Sequence, residues 1–132
     1  MRNSMTDKKG YFLFSLDTEL AWGYFDQYRP GRFSNGGVWE RKAVQRLLDI
    51  FDEFEISETW AVVGHMFFKK KKKCEICPVL EWKGKHLSFD QIYDTGDQLW
   101  YGADVIELLQ ARGARHEIGF HGYTHKVFDE RI

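Results

Sequence analysis

The sequence predicts an α/β fold built on parallel strands. Two observations carry that prediction. Short, ring-rich apolar runs without alternation read as strands buried on both faces, and amphipathic stretches fall between them, so strand, helix and strand recur in order. Size agrees: 132 residues, 43% hydrophobic and 30% charged, suffice for one domain or part of a larger one, and they exclude a disordered or collagen-like chain.

Residues 1–10 form a polar tail that lacks the apolar stretch of a signal peptide. Tyr11-Phe12-Leu13-Phe14-Ser15-Leu16 is the first predicted strand, ended by Asp17. Residues 21–37, with four glycines and a proline, make a connection long enough to serve a site. Residues 39–54 then place Ala43, Val44, Leu47, Leu48, Phe51 and Phe54 at three- and four-residue steps, one apolar helix stripe with Arg41, Lys42, Gln45, Asp49 and Glu53 outward. Thr59-Trp60-Ala61-Val62-Val63-Gly64 follows as a second buried strand and completes a βαβ unit. An insertion is expected at about 67–100, starting with five consecutive lysines, Lys69 to Lys73. Residues 103–112 form a second amphipathic helix, with Val105, Leu108 and Leu109 inward and Gly113 placed to end it. His116-Glu117-Ile118-Gly119-Phe120 is the third strand, and the segment after it is expected to open another helix.

Charge narrows the function classes. Nineteen Lys+Arg against twenty Asp+Glu leave a formal charge of −1, so nucleic acid is not an expected partner. The lysine run reads as a solvated loop, because Asp90, Asp94 and Asp97 lie in the same insertion. No window approaches the roughly 18 consecutive apolar residues of a membrane helix, and no membrane association is expected. Two cysteines cannot build a disulfide framework; the expected location is the cytoplasm.

Parallel α/β proteins place ligands at the carboxyl ends of their strands. Asp17 and Glu19 lie just past the first strand, and His121 and His125 just past the third. A four-residue spacing on a helical first turn puts two imidazoles on one face, as a divalent cation requires. A carboxylate oxygen from a neighbouring strand end would complete a two-histidine, one-carboxylate set with open positions. Asp17 and Glu19, two apart, leave an extended chain on the same side, so one can bind the ion while the other stays free as a base.

Those residues resemble a known family. Ser15-Leu16-Asp17-Thr18-Glu19 is similar to the first motif of the polysaccharide deacetylase superfamily (NodB homology, carbohydrate esterase family 4). Glu117-Ile118-Gly119-Phe120-His121-Gly122-Tyr123-Thr124-His125 resembles its second motif, and Thr59-Trp60-Ala61-Val62 the strand between them. The resemblance covers about residues 11–130. It implies a distorted (β/α) barrel of about seven parallel strands and metal-dependent hydrolysis of an N-acetyl group on a sugar polymer. It also implies Asp17 as catalytic base and Glu19, His121 and His125 as ligands of a divalent metal, zinc first, with cobalt, nickel or manganese as alternatives. The commonest members carry two adjacent aspartates where this chain has Asp17-Thr18, so the later acid, Glu19, takes the ligand's place. The partner implied is a carbohydrate, an N-acetylated sugar.

The family's later motifs, which hold the histidine acting as general acid, have no counterpart here. The chain therefore reads as an amino-terminal part of such a domain, about three barrel strands, expected to hydrolyse little alone and open to self-association along its uncovered edge. The alternatives are an allantoinase-like amidohydrolase of the same superfamily and an inactive carbohydrate-binding remnant.

Trp22, Tyr24 and His65 follow strand ends and are candidates for contacting substrate, either as stacking rings and a polar lining or as cover for the rim. Cys74-Glu75-Ile76-Cys77 is a CxxC pair: half of a structural metal site that needs two further ligands, with His65 and His86 the nearest candidates, a redox pair, or two unrelated thiols.

Overall fold

The computed structural model describes residues 10–27, 37–69 and 97–125. They form a mixed α/β fold around a three-stranded parallel sheet in the order β1 (Ser15–Thr18), β2 (Glu58–Val62), β3 (His116–Phe120). Helix α1 (Val38–Glu53) joins the first two strands. A short helix α2 (Asp97–Trp100) and helix α3 (Ala103–Ala111) precede the third. Two 3-10 segments, Leu20–Gln27 and Gly64–Phe67, follow the carboxyl ends of β1 and β2.

Register explains which residues are buried. Leu16, Trp60 and Ile118 pair across the three strands in one row, and Asp17, Ala61 and Gly119 in the next. Successive side chains leave opposite faces of a sheet. The Leu16–Trp60–Ile118 face meets the helices: Phe51 of α1 lies edge-on to Trp60 at 6.2 Å, and Leu48, Val62, Ile106 and Leu109 fill the same core. The opposite face carries Ser15, Asp17, Thr59, Ala61, Glu117 and Gly119, small or acidic residues of which none is buried. On it the Thr59 hydroxyl donates to Glu117 Oε2 at 2.6 Å.

Helix α1 carries the middle of the expected stripe, while Ala43 is exposed and Phe54, just past the helix end, is 65% exposed. Leu48 and Phe51 are buried, and Val44 and Leu47 pack against the core beside them. Its first turn is tied to α3 by Arg41. That guanidinium donates to both carboxylate oxygens of Asp104, at 2.6 and 3.1 Å, and to the carbonyls of Gln98 at 2.8 Å and Tyr101 at 2.9 Å. Helix α3 buries Ala103, Val105, Ile106 and Leu109. Beyond it Gly113 turns the chain at φ +94, a left-handed conformation that suits a residue without Cβ.

The amino ends of β2 and β3 carry a polar cluster, buried at His116 and Glu58 and partly exposed at Asp49, Asp52 and Arg112. Each ring nitrogen of His116 faces a carboxylate, Nδ1 against Glu58 Oε1 and Nε2 3.0 Å from Asp52 Oδ1. Trp60 Nε1 donates to the same Glu58 oxygen at 2.6 Å. Arg112 donates to Asp52 at 2.6 Å and to Asp49 at 2.5 Å, which closes the cluster onto α1. These contacts hold both aspartates below the ordinary carboxylate range, Asp49 chiefly through Arg112 and Asp52 chiefly through His116 and then Arg112.

Three sequence expectations need correction. The first strand starts later than the apolar run: Tyr11, Phe12 and Leu13 are 90, 84 and 90% exposed. The paired register begins at Ser15 opposite Thr59; ahead of it the Phe14 carbonyl accepts from Thr59 N–H at 2.9 Å, and the Phe14 ring meets Phe51 at 5.3 Å and the exposed Phe12 ring at 5.9 Å. The end of the expected insertion is core, since Leu99 and Trp100 are buried. The segment after β3 opens with bends and no helix over residues 121–125. Among the described residues no helix is long and apolar enough to cross a membrane.

Two outcomes test this packing. Leu48→Ala, at a fully buried position, is expected to destabilise the fold by about 2–5 kcal/mol in denaturant titration. Depressed aspartates stabilise the folded state above their ordinary value of 3.8 and lose that contribution as pH falls through their folded values. Stability should therefore hold above that value and decline in acid below it, and Arg112→Met should make the acid decline shallower.

Candidate metal centre

The chemistry-bearing residues gather at the carboxyl end of the sheet because the strand ladder continues past β3. His121 N–H donates to Val62 O, Gly64 N–H to Gly122 O, and His65 N–H to Tyr123 O, each at 2.9 Å. The chain then reverses at Gly122 (φ +71) and His125 (φ +57). A non-glycine residue in that region is uncommon and persists where its surroundings impose it. The turn sets the His121 and His125 rings 4.9 Å apart, centroid to centroid. Their proximity thus comes from a tight turn, where the spacing argument expected a helix.

On the other side of β2, the chain leaves β1 at Thr18 and turns at once. Leu20 has φ +48, and Trp22 N–H donates to Glu19 O at 2.9 Å to start the 3-10 segment. This brings Glu19 Oε2 to 3.0 Å from His125 Nε2 and 3.4 Å from His121 Nε2. Among the described residues Glu19 Oε2 and His121 Nε2 are buried with no hydrogen-bond partner, so these close approaches lack hydrogen-bond geometry. One ligating atom from each of Glu19, His121 and His125 lies within 4.8 Å of the others. Tetrahedral ligands about 2.1 Å from a zinc ion stand about 3.4 Å apart. Two imidazoles and a carboxylate, converging without bonding one another, fit a divalent cation. Asp17 lies beside them, Oδ2 at 3.8 Å from His121 Nε2, with 64% of its side chain exposed.

Gly23 makes room for this arrangement. A Cβ there would fall 1.7 Å from Glu19 Oε1 and 2.2 Å from Glu19 Cδ. The sequence reading overlooked it, because one glycine in a glycine-rich connection carries no signal of the neighbour it spares.

The expected substrate contacts are corrected in two places. Trp22 is 2% exposed, its Nε1 donates to Trp100 O at 2.8 Å, and its ring meets Trp100 at 5.2 Å; it belongs to the core. His65 is 1% exposed and equally out of a substrate's reach. Tyr24 is exposed at the kink of the 3-10 segment. Cys74, Cys77 and His86 lie outside the described residues.

An open hollow of about 740 Å³ lies elsewhere, between α1 and α3. Two of its ion pairs are Arg41 with Asp104 at 2.6 Å and Lys69 with Glu107 at 2.5 Å, and Lys42 lies 4.4 Å over the Trp39 ring. No family model, no curated protein and no solved structure matches the chain.

The contact at Gly23 yields a test that separates site from scaffold. Gly23→Ala collides with the far end of a flexible side chain, which can swing away cheaply. The variant should melt close to the parent protein yet bind zinc much more weakly, measured by titration of the metal-free protein. Equal affinity would show that Glu19 is no ligand.

Proposed function

We propose that this chain carries the metal-holding end of a hydrolase of the polysaccharide deacetylase type, which cleaves a carbon–nitrogen bond outside peptides and releases acetate from an N-acetylated sugar. In this reading its three strands are part of a distorted (β/α) barrel. One observation carries the proposal: Glu19, His121 and His125 converge at a strand end with a second carboxylate, Asp17, beside them. The motif resemblance supports the sugar substrate.

Each residue then has a distinct task. His121, His125 and Glu19 hold a divalent ion, zinc first, with cobalt, nickel or manganese compatible with the same donors. Such an ion would supply Lewis acidity to the acetamide carbonyl and to a water. Asp17 stands at the open side, where its carboxylate accepts the proton of the attacking water. A water held beside His121 would come within hydrogen-bond reach of this carboxylate, whose Oδ2 is 3.8 Å from His121 Nε2. Glu19, less exposed than Asp17, keeps its carboxylate between the imidazoles and leaves the proton chemistry to Asp17.

Zinc titration of the metal-free protein is the test. One ion per chain is expected, lost in His121→Ala and in Glu19→Gln but retained in Asp17→Asn. The loaded protein should bind an N-acetylglucosamine oligomer in preference to a small ureide. Absence of zinc binding, or a His121→Ala variant that binds like the parent, refutes the proposal; preference for the ureide moves it to the allantoinase-like branch.

A further inference from the structure

His65 is a buried polar residue that the proposed chemistry does not use. It sits in the 3-10 turn just after β2, 1% exposed, inside a box of rings: Trp22 at 4.6 Å, Phe68 and Tyr123 at 5.3 Å and Tyr101 at 5.9 Å. Among the described residues neither ring nitrogen has a hydrogen-bond partner. Burial pushes its pKa down to about 4, so the ring is neutral at neutral pH and offers one donor and one acceptor. Thr124, also 1% exposed, buries a hydroxyl in the same condition.

The two residues are joined through the backbone. His65 N–H donates to Tyr123 O, next to Thr124, and Gly64 N–H donates to Gly122 O. Gly64 is also in close approach to this turn, for a Cβ there would stand 3.1 Å from Tyr123 Cδ2 and 3.4 Å from Tyr123 Cα. The segment thus gripped, residues 121–125, carries both metal-ligating imidazoles and a left-handed His125. An apolar ring would fill the box without leaving buried polar atoms, which are costly when unpaired. The histidine at this place therefore calls for a role that its nitrogens perform.

We infer that His65 is a positioning residue for the cation centre, its ring nitrogens and the Thr124 hydroxyl linked by one internal water to the turn that presents His121 and His125. The inference rests on the metal-binding reading of that turn. Outer partners that orient a metal's ligands typically change its affinity by about 10–100-fold.

Cobalt(II) binding, followed by its visible absorption, tests it together with thermal melting of the metal-free protein. His65→Phe keeps the ring volume and Thr124→Val the side-chain shape, and each should weaken cobalt binding about tenfold while melting stays near or above that of the parent. Because both act through one link, the double variant should lose little more than either alone. His65→Gln, which restores a donor and an acceptor, should recover part of the affinity. Cobalt affinity unchanged in His65→Phe, or additive losses, overturns the inference; should His65→Phe fail to fold, Thr124→Val and His65→Gln decide on the same criteria. If the parent protein binds no cobalt, the metal reading itself fails. Hydrogen exchange then decides the link: Thr124→Val should speed exchange of the Gly64 and His65 amides, and unchanged rates refute it.

Discussion

The candidate site depends on the carboxyl end of β2, whose backbone bonds in both directions at once. Val63 N–H donates to Thr18 O at 3.1 Å, while Val62 O accepts from His121 N–H at 2.9 Å. Glu19 follows the first of these partners and His121 is the second. Residues distant in sequence are thereby fixed to one strand end, and their side chains need only short reaches to meet. Parallel pairing makes this possible, because it brings all three carboxyl ends to one side. Side-chain chemistry at this end is set by ladder geometry first and by local turns second.

The two ends of the sheet use polar residues differently. At the amino ends, His116, Glu58, Asp52, Arg112 and Asp49 bond one another, with Glu58 Oε2 left without a partner among the described residues, and the cluster joins α1 to β2, β3 and the turn after α3. At the carboxyl ends, Glu19, His121, His65 and Thr124 bury polar atoms without hydrogen-bond partners among the described residues. Folded proteins leave few such atoms, and those they leave tend to mark sites. Arg41 stands between these extremes: it spends its donors on Asp104 and on the carbonyls of Gln98 and Tyr101, holding α1 against the start of α3.

Much of the architecture was legible in the sequence. The Leu47–Leu48–Phe51 stripe identified α1, the apolar run around Trp60 identified β2, and their order implied parallel pairing. What escaped were facts of pairing and space. Tyr11, Phe12 and Leu13 are as hydrophobic as any strand, but the register with β2 begins only at Ser15. Trp22 looked like a rim residue because it follows the first motif, yet the 3-10 segment turns it against Trp100. His121 and His125 were paired by their spacing and by the motif resemblance, and the positive φ values that actually join them leave no periodic trace. Gly23 and His65 have meaning only beside Glu19 and Tyr123, neighbours that a one-dimensional reading does not see.

The separation of the three converging side chains along the chain has a consequence for folding. One comes from residue 19 and the other two from residues 121 and 125, so an ion shared among them closes a loop of roughly a hundred residues. Such an ion would act as a reversible clasp across the sheet, its grip growing with the free cation concentration, by about 2.7 kcal/mol at a hundred times the dissociation constant. The persistence of the folded chain would then follow the metal supply of its surroundings.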